Sequence, residues 1–131
     1  MKQTDNFKFD EANVMNELVY RNLSEDEKRQ ICAWKYGGEY DLYNLPSYEE
    51  MQVRQIGFMN PQREKNYYGF WDESILVGFV NILEEKEEIF IGIGVNPDLC
   101  NKHYGQRMLL ITYEISKKLY PDKPLYLEVR T

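Results

Sequence analysis

Residues 66–95 constrain the fold more than any other part of the chain. "NYYGFWD" (66–72), "ILVGFVNIL" (75–83) and "IFIGIGV" (89–95) are apolar segments separated by short turns. They are rich in the aromatic and β-branched residues that suit a half-buried pleated surface. The first turn centres on Asp72, Glu73 and Ser74, and the second is the charged run "EEKEE". Turns this short join antiparallel neighbours, so the spacing predicts a three-stranded meander. Pro97 then stops the strand pattern.

A helix follows. Tyr104, Met108, Ile111, Ile115 and Leu119 recur at spacings of four and three, which predicts one apolar stripe. Lys117 and Lys118 suit the negative end of its dipole, and Pro121 and Pro124 end it. "LYLEVR" (125–130) reads as a further strand. Upstream, 17–22 reads as a short strand, with Leu18 and Tyr20 alternating with Val19 and Arg21. Ser24 with Glu27, and Ser47 with Glu50, have the capping-box spacing that starts a helix. Ile31, Trp34 and Lys35 continue the first of these helices, and Gly37-Gly38 supplies its stop. The order β-α-α-β-β-β-α-β predicts an α/β chain with a mixed sheet and helices on its faces. Residues 1–16, polar with isolated Phe7 and Phe9, read as an N-terminal extension, and 17–131 as a single domain.

Composition narrows the function classes. Hydrophobic residues at 43% and charged residues at 29% allow a real core. A net charge of −6 argues against a nucleic-acid surface and is compatible with a cationic acceptor such as an amine. No apolar run approaches the roughly 20 residues that span a bilayer. With no apolar leader at the N-terminus, the expectation is a cytoplasmic protein without a membrane segment. Cys32, Cys100 and the single His103 suggest neither a disulfide framework nor a metal site.

The chemistry concentrates in "IGIGVNPDLCNKHYGQRMLL", Ile91 to Leu110. In strand 89–95, Ile89, Ile91, Ile93 and Val95 share one face, and Phe90, Gly92 and Gly94 the other. Two glycines on one face call for either a ligand lying close or a bulge or helix packed tightly over the strand. The helix start beyond the turn presents free amides and a positive dipole end, which suit an anion. Lys102 and Arg107 add charge nearby, and the helix N-terminus could also activate the Cys100 thiol, here read as a passive loop residue.

Val95-x-Pro97, a short loop, then Gly105-x-x-Met108-Leu109 on an amphipathic helix resembles motif A of the GNAT superfamily of acyl-CoA N-acyltransferases. That motif is written Gln/Arg-x-x-Gly-x-Gly/Ala, and the order of elements over residues 17–131 also resembles the family. In the preferred register Cys100 takes the Gln/Arg position, His103 the first glycine and Gly105 the second. The other register takes Lys102 as the basic residue and Gly105 as the first glycine. The resemblance implies a GNAT-like fold that binds acetyl-CoA and no metal. Ile93, Gly94, Val95, Cys100, Asn101, Lys102, His103, Tyr104, Gly105 and Gln106 would form the cofactor site. His103 carries a Cβ where the family places glycine, which bears on affinity.

The implied reaction is acetyl transfer from acetyl-CoA to an amine. Glu88, at the start of strand 89–95, is the candidate base, with a solvated turn residue as its alternative. Trp34, Tyr40 and Tyr43 are candidates for the acceptor pocket, or for a lid packed on the sheet. Family members usually continue after the fifth strand with a helix and two strands, whereas this sequence stops at Thr131. Three alternatives follow: a non-catalytic CoA-binding or dimerisation module, an inactive fragment, or a protomer completed as a homodimer through the exposed C-terminal strand.

Overall fold

In a computed structural model that describes residues 18–37, 44–100 and 102–127, the strands pair in the order in which they occur. β1 (Val19–Asn22), β2 (Tyr67–Asp72), β3 (Ile75–Glu84), β4 (Ile89–Val95) and β5 (Leu125–Leu127) form one five-stranded sheet. The meander expected at 66–95 is present: β1 to β4 pair antiparallel, and β5 lies parallel to β4. The extension 1–16, Tyr40, Tyr43, Asn101 and residues 128–131 lie outside the described residues. The homodimer expected through strand 125–130 therefore rests partly on undescribed residues.

Helices cover both faces, as the element order implies. α3 (Tyr104–Leu119) packs Met108 and Ile115 on Val77, Val80 and Ile82 of β3 and on Ile89 and Ile91 of β4. On the other face, α1 (Glu25–Ala33) and α2 (Tyr48–Arg54) bring Ile31, Cys32 and Met51 against Phe58, Met59 and Leu76. Each large apolar side chain fully buried here contributes about 1.5–3 kcal/mol.

A bulge in β3 joins these cores to the end of β4. Phe70 pairs with Gly78 and Trp71 with Leu76, so Val77 is an extra residue. The Val77 carbonyl, freed from the ladder, accepts the Asn96 amide at 2.8 Å. Gly78 is required beside it, because a Cβ would lie 2.6 Å from both the Gly94 carbonyl oxygen and the Met108 side chain.

Three local expectations change. α1 ends at Ala33, and Trp34 is extended (φ −64, ψ 133), so Trp34 and Lys35 leave the helix. The Trp34 ring instead packs on Phe79, with centroids 6.2 Å apart. Ser47 accepts the Glu50 amide at 3.1 Å, but the Glu50 carboxylate turns to Arg54, so only half of that capping box forms. On α3 the buried positions are Met108, Thr112, Ile115 and Ser116, while Tyr104 and Ile111 are half-buried and Leu119 is 51% exposed. Thr112 was invisible to an apolar pattern, but its hydroxyl is satisfied by the Met108 carbonyl at 2.7 Å. No helix among the described residues is long and apolar enough to cross a membrane.

Candidate functional site

The site begins with the direction of the β4 backbone groups. These alternate along a strand, so every second residue bonds to the same side. The Ile89 amide donates to the Pro124 carbonyl at 2.8 Å, and the Val95 carbonyl accepts the Tyr36 hydroxyl at 2.5 Å. By this alternation, Ile93 also turns its N–H and C=O away from β3. Pairing with β5 covers Ile89 to Ile91, and the outer edge of Ile93 meets no partner among the described residues.

Just beyond that edge, Asn96 fixes the turn. Its Nδ2 donates to the Leu76 carbonyl at 3.2 Å, and its Oδ1 accepts the Asp98 amide at 3.0 Å. Pro97–Leu99 then forms one 3-10 turn. Cys100 is exposed, with its sulfur 3.6 Å from the Asn96 carbonyl. Partial burial, and then Asp98, push its thiol above its ordinary pKa, which disfavours the thiolate.

α3 starts without a cap. His103 occupies the N-cap position at φ 64, ψ 17, and makes no side-chain bond to the helix amides. This left-handed conformation favours glycine, and it falls where the preferred register puts the motif's first glycine. The first turn carries no acidic residue, and Lys102, His103 and Gln106 are exposed. Gly105 is half-buried, and a Cβ there would make only ordinary contact with Val95 at 3.7 Å. The Tyr104 hydroxyl donates to Asp72 Oδ2 at 2.6 Å, pinning the first residue of α3 to the β2–β3 turn. This bond to Asp72 raises the Tyr104 pKa. Arg107 lies over the Tyr104 ring at 5.3 Å.

The glycines of β4 have a local explanation. A Cβ on Gly94 would lie 2.5 Å from the Phe79 ring, and one on Gly92 would lie 3.2 Å from the Phe90 ring. Neither a bulge nor a helix fills these positions: aromatic rings of the sheet itself lie across them. Trp34 covers Phe79, and two residues on, the Tyr36 amide donates to Asn44 Oδ1 at 2.6 Å. Segment 34–37 thus crosses the sheet to reach the end of β4. Burial pushes the Tyr36 hydroxyl up to about 12, so it is protonated and donates at neutral pH.

Of the residues singled out from sequence, Ile93, Gly94, Val95, Cys100, Lys102, His103, Tyr104, Gly105 and Gln106 lie along one continuous path from β4 into α3. Trp34 reaches the same end of the sheet through Phe79, which pairs with Gly94. Glu88 does not join them. It is exposed in the β3–β4 turn, five residues and about 17 Å along the strand from Ile93. Sequence reasoning missed Asp72 and Asn96, which fix the site through contacts distant in the chain; Tyr36, read only as part of the aromatic stretch around Trp34, does so as well. Among the described residues, no group of three or more His, Cys, Asp or Glu could hold a metal ion.

No protein-family model matches the sequence, and no curated protein matches it. Solved structures do match its fold. A spermidine N-acetyltransferase, the SpeG chimera from Vibrio cholerae and hSSAT, superposes with a TM-score of 0.68 at 17% identity. The match covers 85% of this chain and 69% of that one. A Pyrococcus horikoshii protein to which acetyltransferase activity is ascribed superposes with a TM-score of 0.55 at 15% identity. There the match covers 89% of this chain and 38% of the other. At such identities the likeness carries the fold, a mixed five-stranded sheet with helices on both faces, and not the activity.

Proposed function

We propose, from the GNAT acetyltransferase fold that this chain adopts, that it is an N-acetyltransferase using acetyl-CoA and an amine acceptor. One observation carries the reading. Among the described residues the outer edge of β4 at Ile93 has no partner, and one short turn joins it to a start of α3 that its N-cap side chain does not cap. An extended polar chain ending in phosphates needs that combination: a strand edge to pair with, then a helix start to receive negative charge.

The residues present fit acetyl-CoA on those grounds. The amides of Tyr104, Gly105 and Gln106, with Lys102 beside them, would hold the pyrophosphate. The outer N–H and C=O of Ile93, with the Val95 N–H beside them, would pair with the pantetheine arm. Bound there, acetyl-CoA supplies the acetyl group as a thioester. The Ile93 amide is the donor available to polarise the thioester carbonyl. Segment 34–37 shields the end of the sheet from water, with the Tyr36 hydroxyl on the Val95 carbonyl as its fixed point. The acceptor must arrive as the free amine, since the ammonium form has no lone pair for attack. The net charge of −6 favours cationic amines over anionic acceptors at the encounter stage. One neighbour in fold is, by its name, a spermidine acetyltransferase, which agrees with an aliphatic amine acceptor.

The test has two stages. Acetyl-CoA raises the melting temperature, because a ligand that binds only the folded state stabilises it by RT ln(1 + [L]/Kd), about 2.7 kcal/mol at a hundredfold excess over Kd. A panel of aliphatic amines then releases free thiol from acetyl-CoA. Stabilisation without thiol release from any amine would favour a CoA-binding module. An unchanged melting temperature at millimolar acetyl-CoA would sink both readings.

A further inference from the structure

The outer edge of β4 repeats itself. Ile93 and Val95 are both half-buried, and each turns an N–H and a C=O away from β3. The backbone alone therefore offers a ligand two equivalent places, one strand repeat or about 7 Å apart. An edge without distinguishing features specifies register weakly. Phosphates held at the start of α3 fix only one end of acetyl-CoA. The arm from there to the thioester is a flexible run of single bonds with amide groups along it, so it can slip by one repeat.

Tyr36 makes the two places unequal. Its hydroxyl donates to the Val95 carbonyl at 2.5 Å. Cys100 Sγ approaches the same oxygen from the turn, at 4.0 Å. A carbonyl oxygen has two lone pairs, and here the protein brings two donors to it. Tyr36 is itself well anchored. Its amide donates to Asn44 Oδ1 at 2.6 Å, and two residues back the Trp34 ring packs on Phe79. At Ile93 the outward carbonyl meets no partner among the described residues, because pairing with β5 stops at Ile91. A ligand N–H is thus steered past Val95 to Ile93.

Resting on the acetyltransferase reading above, we infer that Tyr36 is a positioning residue that sets the register of acetyl-CoA on β4. By filling the Val95 carbonyl it leaves the Ile93 carbonyl to an amide of the arm, and so brings the thioester to the Ile93 N–H. The direction of the arm makes this matter. The phosphates lie beyond Val95, so an arm caught on the Val95 carbonyl would stop about 7 Å short of the Ile93 N–H. That N–H could then no longer polarise the thioester, since a hydrogen bond needs its atoms about 3 Å apart. Tyr36 touches neither the acetyl group nor the amine, and acts through the edge of β4.

Backbone carbonyl carbon shifts of the 13C,15N-labelled protein, read before and after adding acetyl-CoA, test this without turnover. In the wild type the Ile93 carbonyl is expected to move and the Val95 carbonyl to stay, because Tyr36 keeps it. Tyr36→Phe removes one oxygen and retains the ring. Its Val95 carbonyl is expected to differ already in the free protein, and to move again with acetyl-CoA. With an amine that releases thiol, kcat is expected to fall about tenfold in Tyr36→Phe while KM for acetyl-CoA stays within about threefold. A Val95 carbonyl that moves on binding in the wild type would overturn the inference, because the ligand would then displace Tyr36. So would a Tyr36→Phe protein with a lowered melting temperature but the wild-type kcat and carbonyl response, which is the mark of a purely structural bond. An acetyl-CoA response in neither protein, at Ile93, Val95 or Gly105, would remove the acetyltransferase reading together with the inference.

Discussion

α1 and α3 start in opposite ways. α1 satisfies its own N-terminus: Ser24 Oγ accepts the Glu27 amide at 3.3 Å, and Glu27 accepts the Ser24 amide at 2.7 Å. Glu25, Asp26 and Glu27 fill the first turn with negative charge. Arg21 of β1 then neutralises Glu27 through two bonds, of 2.8 and 2.6 Å. α3 has no side-chain cap, no acidic residue in its first turn and a histidine in a glycine conformation. Free amides at a helix start must find partners. In α1 the chain supplies them; in α3 the N-cap side chain supplies none, and the proposed function assigns that place to the phosphates of acetyl-CoA.

Substitutions at the two starts can break or sharpen that contrast. The largest effect is expected at Glu27. Glu27→Gln removes a charge that Arg21 and the Ser24 amide both use, and chemical denaturation at pH 7 is expected to show a loss of about 2 kcal/mol. Its hydrogen bond with Arg21, foremost, holds the Glu27 pKa below its ordinary 4.5. A depressed carboxylate pKa stabilises above the unfolded value. The gap between wild type and variant is therefore full above pH 4.5 and closes as pH falls through the depressed value. Ser24→Ala is expected to lose about 1 kcal/mol. Neither change should alter acetyl-CoA affinity by calorimetry, and a weakened affinity in either would break the contrast.

At α3 the signs reverse. Gln106→Glu places a negative charge in the first turn, and is expected to stabilise the free protein by about 0.3–1 kcal/mol at low salt. The same change is expected to weaken acetyl-CoA binding severalfold, with the loss shrinking as salt rises. His103→Gly has the smallest expected effect on stability. It relieves a left-handed conformation but adds freedom to the unfolded chain, so the net gain is about 1 kcal/mol or less. Acetyl-CoA should bind somewhat tighter, since the Cβ is gone from the phosphate side. Weaker binding in His103→Gly would mean that the imidazole itself holds the ligand.

How much of this was legible in sequence follows from the range of the interactions. The meander came through because short turns leave one pairing. The α1 capping box came through because Ser24 and Glu27 are three residues apart. Arg21, which completes that cap, did not, because its position depends on how β1 meets the chain in space. Gly92 and Gly94 were read as room for a ligand, a bulge or a packed helix, whereas Phe79 and Phe90 lie across them, through pairing across β3 and β4 and along β4. Tyr36 and Val95 are 59 residues apart, and no local pattern predicts their bond. The end of α1 was misread because Trp34 gains more by packing on Phe79 than by continuing the helix.

Hydrogen–deuterium exchange with and without acetyl-CoA tests the central claim, that the start of α3 and the outer edge of β4 at Ile93 form one ligand site. The account predicts slower exchange across residues 93–106 on adding acetyl-CoA, with segment 24–33 unchanged because α1 is already satisfied. Unchanged exchange across 93–106 at saturating acetyl-CoA, or protection confined to α1, would contradict it.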